Sequence, residues 1–226
     1  MEGRKMKKAL VTQAFGDEWK KILELTKPRM EAYCQRHQID FIALEKPLTD
    51  PVQYSKSAIG NIMATKGYDQ VTFVDCDVLI TKDCPDIGED AGVFCAFDEG
   101  AFLDRKLAMG KLAGAFGAII DPRFYVNTGV FVISSKVVGA LSMPPLGLLP
   151  NHFAEQTWMN IMVHIWNIPL TELDPVYNCM TSVEEHFGLD RYFDAMCIHY
   201  AGQSADLAKL AELIKADEAE LVAVGR

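Results

Sequence analysis

The sequence predicts an α/β fold with a mostly parallel central sheet flanked by helices, and three observations predict it. Short apolar runs alternate along the chain with longer segments of helical periodicity, the pattern of strands joined by crossover helices. No internal repeat, low-complexity tract or long linker interrupts the 226 residues, so one domain over 1–226 is the simplest organisation. Half of the residues are hydrophobic and 23% are charged, enough apolar material for a core without disulfide staples.

The elements follow in order. Residues 8–14 (KALVTQA) form an apolar run that ends before Gly16-Asp17, a buried strand and then a turn. Residues 18–37 place Ile22, Leu25, Met30 and Tyr33 at helical spacing, with Pro28 expected to disturb the middle. Residues 41–44 read as a second strand, 55–66 as a helix, and 71–74 as a strand buried on both faces. Strands are expected again at 78–80, 92–97 and 130–134, an amphipathic helix at 154–165, a last strand at 195–200 and a closing helix at 205–222. The stretch 99–123 carries four glycines and no clear period, and reads as a lid or substrate-specific loop.

Composition narrows the function. With 31 acidic and 22 basic side chains the formal charge is −9, which argues against a nucleic-acid partner. An acidic protein that handles anionic substrates needs a metal, backbone N–H groups or a few placed cations. The six cysteines (Cys34, Cys76, Cys84, Cys95, Cys179 and Cys197) show no CxxC pairing and several lie in apolar runs, the pattern of buried free thiols in a reducing compartment. No apolar run approaches the ~18 residues of a membrane span. A cytoplasmic location is therefore expected. Gly110, Gly114 and Gly117 fit neither a dinucleotide fingerprint nor a P-loop.

The sharpest local feature is VTFVDCDVLI, residues 71–80, in which a buried strand stops at Asp75-Cys76-Asp77. If the backbone stays extended, two carboxylates one residue apart point the same way and can grip one divalent cation. Ligands gather at the carboxyl ends of strands in open α/β sheets, which is where the pair falls. Mn²⁺ or Mg²⁺ held this way shares its remaining positions with substrate phosphates and water. A pair of this kind serves two enzyme classes. In a haloacid-dehalogenase-type phosphatase Asp75 would be the nucleophile and Asp77 the acid/base. That class also needs a later acidic cluster, and no Asp-Asp or GDxxxD pattern follows Asp77. In a sugar-nucleotide transferase the pair would hold the metal on the donor diphosphate.

The remaining segments favour the transferase. ALVTQAFGDEW (9–19), the helix and strand of 54–80, FYVNTGVFVIS (124–134), AEQTWMNIM (154–162) and IHYAG (198–202) occur in that order. Together they resemble the glycogenin-like glycosyltransferases, family 8 of the GT-A fold, and their bacterial lipopolysaccharide galactosyltransferase-like relatives. The resemblance covers most of the chain from Leu10 to Gly202 and implies a GT-A domain, with a nucleotide-binding half over 8–98 and a donor-sugar and acceptor half over 99–226. It implies that Thr12, Gln13 and Ala14 line the nucleoside, that Trp19 stacks on it, and that Lys56 lies on the following helix. It sets Asn127, Thr128 and Gly129 beside the donor sugar, maps Glu155, Gln156 and Asn160 onto a family helix motif, and makes His199 the third metal ligand. Asn127, Glu155 and Gln156 are thus the candidate catalytic residues, Gly202 joins the donor-binding set, and Asp98, ending the strand of 94–97, joins it by its place at a strand terminus. The implied activity is metal-dependent transfer of a hexose from a nucleoside-diphosphate sugar, UDP-linked by preference, to an unidentified acceptor with retention. A nucleotide-sugar-binding module without turnover is the non-enzymatic alternative.

Three features depart from the family pattern. A lysine that contacts the diphosphate follows the family's HFxG segment, whereas Gly202 is followed here by Gln203-Ser204-Ala205-Asp206. Lys56, Arg105 and Lys106 are the candidate replacements. Glu155 stands where the family has aspartate, and Gly16 where it has asparagine. Acceptor recognition is expected on 99–123 and on the Pro-rich 143–152 segment, compatible with a glycan, a lipid-linked sugar or a protein.

Overall fold

The computed structural model describes residues 5–50, 52–101, 104–143 and 154–226. The α/β class is as expected. Strands β1 (Lys8–Gln13), β2 (Asp40–Leu44), β3 (Gln70–Val74), β5 (Phe94–Asp98), β6 (Val126–Ser134) and β7 (Thr171–Glu172) form a six-stranded sheet in the order β2-β1-β3-β6-β5-β7. β1 pairs with β2, and β5 with β7, in parallel, while β6 runs antiparallel to β5. β4 (Val78–Ile80) and β8 (Cys197–His199) make a separate antiparallel ribbon. The helices are α1 (Asp17–His37), α2 (Ile59–Lys66), α3 (Lys106–Ala115), α4 (Ala154–Ile165), α5 (Thr181–Phe187) and α6 (Leu207–Ala223).

Two compact units are distinguished. The β1 unit takes Lys8–Lys46, Thr72–Asp90 and Asp174–Arg226; the β6 unit takes the described residues of 1–7, 47–71 and 91–173. In the β1 unit, Ile22 of α1, Leu79 of β4, Ile198 of β8 and Leu210, Ile214 and Leu221 of α6 are all buried in one cluster. In the β6 unit, Met109 and Ala113 of α3 pack with Tyr125, Trp158 and Ile161.

Several expectations shift in detail. Pro28 lies within α1, which continues through it to His37; one interior bond is lost, but the helix buries Ile22, Leu23, Met30 and Tyr33 along one face. The 55–66 helix divides into a 3₁₀ turn, Val52–Ala58, and α2. The strand expected at 130–134 begins four residues earlier, at Val126, so Asn127 lies inside it. The 99–123 stretch contains α3, whose Met109 and Ala113 are buried on one side while Leu107 is exposed. Part of the expected loop, 106–115, is thus a helix obscured by its glycines. Of the Pro-rich segment, 144–152 lies outside the described residues.

All six cysteines are free and buried, as expected. Burial pushes the Cys34 and Cys179 thiols up to about 12 and Cys95 to about 11, which keeps them protonated and unreactive. Among the described residues no helix is long and apolar enough to cross a membrane.

α6 is locked within the β1 unit by a buried carboxylate. Asp217 accepts from Arg191 Nη1 (2.9 Å), Tyr192 Oη (2.8 Å) and Tyr200 Oη (2.8 Å). Burial, and then the Asp217 charge, push the Tyr200 hydroxyl well above its ordinary value, so it stays a donor. Asp217→Ala leaves that hydroxyl without its acceptor and Arg191 without one of its two carboxylates. The expected loss is about 3–5 kcal/mol of unfolding free energy, read from urea denaturation. A loss below 1 kcal/mol would show that the network does not hold the helix.

Candidate functional site

The acidic pair is built by a turn, not by an extended strand. β3 is buried throughout and ends at Val74. Val78 N then donates to the Asp75 carbonyl (3.1 Å), which closes a tight turn around Cys76 and corrects the extended geometry expected for the pair. The turn is pinned from α1, where the Thr26 hydroxyl donates to the Cys76 carbonyl at 2.7 Å.

Pairing of β4 with β8 then brings in the distant histidine. Val78 lies opposite His199, and Tyr200 N donates to the Asp77 carbonyl (3.1 Å). Asp75, Asp77 and His199 each offer a ligand atom, and these atoms lie within 4.8 Å of one another. Asp77 and His199 are buried. His199 Nε2 is 3.8 Å from Asp77 Oδ1, too long for a hydrogen bond. It is within the ~4.2 Å that two ligands can span when each sits about 2.1 Å from one ion. Two carboxylate oxygens and an imidazole nitrogen, with two of the three groups buried, could hold Mn²⁺ or Mg²⁺, whose charge would offset the repulsion between the acids.

The end of β1 belongs to the same unit. Thr12 Oγ1 and Gln13 Oε1 are buried and find no hydrogen-bond partner among the described residues. Such atoms are uncommon, because each carries an uncompensated desolvation penalty of about 1–3 kcal/mol unless a ligand or water satisfies it. Ala14 is fixed by its N–H to the Leu44 carbonyl (2.9 Å), and Gly16, at φ 84°, takes the backbone into α1. Trp19 packs partly buried against the cluster that contains Ile22 and Leu79. Where the resemblance leads one to expect a lysine after the last strand, the chain forms a helix cap. Gly202 turns the chain at φ 81°, and the Asp206 side chain accepts from Lys209 N (3.0 Å) to open α6.

The β6 unit carries the remaining candidates. α4 is laced to β6 through two amides: Asn160 accepts from Val126 N (2.7 Å) and donates to Val126 O (2.9 Å). Gln156 Oε1 accepts from Thr128 N (3.1 Å). The register works because four residues of helix rise about 6 Å and two of strand about 6.6 Å. Gln156 and Asn160 therefore do share one helix face, and that face reads the backbone of β6.

At the centre of these groups is Glu99, which sequence reasoning passed over. Its carboxylate accepts from Asn127 Nδ2 (3.0 Å) and Gln156 Nε2 (2.8 Å) and pairs with Arg105. Burial pushes the Glu99 carboxyl above its ordinary value, and Asn127, Arg105 and Gln156 pull against that. Asp98, the residue nominated from sequence, instead accepts from Gly100 N and Tyr125 N (both 2.9 Å). Asp-x-Gly was the available signal: an aspartate bonded to the N–H two residues on is a turn former, which leaves Glu99 as the inward acid. Gly100 is required by crowding, since a Cβ there would lie 2.9 Å from Tyr125 N.

Lys56 is buried and donates to the Thr128 carbonyl (3.0 Å), with Glu155 Oε2 at 3.5 Å. Gly129 N donates to Asn127 Oδ1 (2.8 Å). Of the proposed replacements for the missing lysine, Arg105 is paired with Glu99 and Lys106 donates to the Arg123 carbonyl (2.9 Å).

The backbone has the fold of solved glycosyltransferases. It resembles a glycosyltransferase involved in glycosylation of the major capsid of PBCV-1 (TM-score 0.63, 17% identity), covering 92% of this chain and 99% of that one. It also resembles the bifunctional glycosyltransferase WbbM (TM-score 0.59, 12% identity; 96% and 52%) and GlyE of Streptococcus pneumoniae TIGR4 (0.53, 14%; 94% and 64%). The chain thus spans about half of WbbM and under two thirds of GlyE. No family model and no curated protein matches the sequence.

Proposed function

We propose that this chain is a metal-dependent glycosyltransferase that moves a hexose from a nucleoside-diphosphate sugar, UDP-linked by preference, to an acceptor glycan, lipid-linked sugar or protein. One observation carries the reading: on a glycosyltransferase fold, two aspartates and a histidine from separate parts of the chain converge within 4.8 Å.

Asp75, Asp77 and His199 would hold Mn²⁺ or Mg²⁺. Such an ion, when bound, supplies Lewis-acid stabilisation of the departing diphosphate. Thr12 Oγ1 and Gln13 Oε1 would find their missing partners on the nucleoside, with Ala14 and Trp19 shaping its pocket. Asn127, Thr128, Gly129 and Gln156, with Glu155, Lys56 and Gly202, are assigned to the donor by resemblance, and Asp98 by its place at the end of β5, with its Oδ1 taken up by the Gly100 and Tyr125 N–H groups. In this assignment Glu99 fixes the amides of Asn127 and Gln156, so that their orientation is set before a sugar arrives. Asp75 and Asp77 are assigned to the metal, so no carboxylate is nominated as a nucleophile. That fits transfer with retention in which the leaving phosphate helps deprotonate the acceptor. The free, buried cysteines fit a cytoplasmic setting.

A thermal-shift screen of UDP, GDP and their sugars, with and without Mn²⁺, tests the reading. Ligand at 100 times its Kd adds about 2.7 kcal/mol, which for a chain of this length raises Tm by about 5 °C or more. The expected hit is a UDP-sugar whose shift needs Mn²⁺ and which is slowly hydrolysed. Phosphate release from a phosphomonoester without any effect of UDP would replace the transferase by a phosphatase. A metal-dependent shift with no turnover on any acceptor would leave a binding module.

A further inference from the structure

Asn178 closes the 3₁₀ turn Pro175–Asn178 and is fully buried. The next residue is hydrogen-bonded to the strand that carries His199: Cys179 N donates to Cys197 O (3.0 Å), and His199 N donates to Cys179 O (2.9 Å). Asn178 is therefore held in register with His199 by the two backbone bonds of the residue that follows it. That contact is short, with His199 Nδ1 2.6 Å from Asn178 Oδ1.

An amide oxygen only accepts, so the proton of this bond belongs to Nδ1. In the neutral imidazole that leaves the lone pair on Nε2, the nitrogen 3.8 Å from Asp77 Oδ1. The opposite tautomer would present Nε2–H toward the Asp77 carboxylate, an arrangement that favours a hydrogen bond and blocks coordination. Neither a ring flip nor a proton shift is open to His199 without breaking the bond to Asn178.

We propose that Asn178 is a positioning residue of the metal site, selecting the His199 tautomer and ring orientation that expose Nε2 to the cation. The inference rests on the metal reading of Asp75, Asp77 and His199, and adds to it a residue that is not a ligand. Groups that hold the far nitrogen of a ligating histidine typically account for 10- to 100-fold in metal affinity.

Two measurements test it. Long-range ¹H–¹⁵N correlation of the wild-type imidazoles, without metal, is expected to show His199 as the Nδ1–H tautomer. The Nε2–H tautomer would overturn the proposal whatever any variant does. Mn²⁺ binding is then followed by electron paramagnetic resonance, with Mn²⁺ alone and with UDP, for wild type, Asn178→Ala, Asn178→Asp and His199→Ala. Asn178→Ala should bind Mn²⁺ 10- to 100-fold more weakly, and Asn178→Asp, which restores an acceptor for Nδ1–H, should recover most of the loss. Should Asn178→Ala not fold, weak binding by a folded Asn178→Asp overturns the proposal on its own. Wild-type affinity in Asn178→Ala removes the role of Asn178 but leaves the metal site standing. No Mn²⁺ binding by wild type, with or without UDP, removes the site and the purpose of Asn178 together.

Discussion

Asp77→Ala should lower kcat/KM for sugar transfer by about 10³-fold, roughly 4 kcal/mol, and weaken Mn²⁺ binding in parallel. The substitution removes one of two carboxylates from a site where it lies 3.8 Å from the third ligand. It leaves the backbone intact, because the bond holding this turn to β8 is accepted by the Asp77 carbonyl. Catalytic and structural roles therefore separate. Without metal the variant should melt no lower than wild type, since Asp75 and the buried Asp77 no longer repel. Transfer at the wild-type rate, or wild-type turnover persisting with EDTA, would sink the metal mechanism. A variant that loses activity only because it melts far lower would assign Asp77 to the fold instead.

The largest effect on stability in the β6 unit is expected at Glu99. Glu99→Ala removes the shared acceptor of Asn127 and Gln156 and the partner of Arg105 at a buried position. Breaking a buried, hydrogen-bonded charge pair from one side typically costs about 3–5 kcal/mol, which lowers Tm by roughly 10 °C in a chain of this size. Glu99→Gln should lose less, about 1–3 kcal/mol, because one amide oxygen cannot serve both donors. The pH dependence has a definite sign. Burial raises the Glu99 carboxyl in the folded state, so folded protein takes up this proton at higher pH than unfolded protein. Its contribution to stability is then lost as pH rises from the unfolded carboxylate value through the folded one, and regained on acidification. Denaturation curves from pH 4 upward should show wild type gaining on Glu99→Gln as pH falls through that window. Parallel profiles for the two proteins would show that Glu99 does not titrate in this way.

Much of this was legible in the sequence, for identifiable reasons. β3, β4 and α4 were marked by apolar runs or by helical spacing that their burial then honours. Asp75 and Asp77 were legible as a carboxylate pair at a strand end, but His199 came from resemblance, and no local rule would have joined residues so far apart. What joins them is the pairing of β4 with β8. α3 was hidden because Gly110 and Gly114 mask its buried Met109 and Ala113. Glu99 was hidden because adjacent acids look alike until the turn that occupies Asp98 is known. Asn178 could not be found at all. Its meaning depends on which nitrogen of a distant histidine it touches.

The β4/β8 ribbon is three residue pairs long, and ribbons so short have little stability of their own. A cation gripped by Asp77 and His199 would cross-link points about 120 residues apart in sequence, closing a loop whose entropy the chain alone must otherwise restrain. The metal would then act as a clasp as well as a chemical group, tying donor capture to the seating of the C-terminal segment.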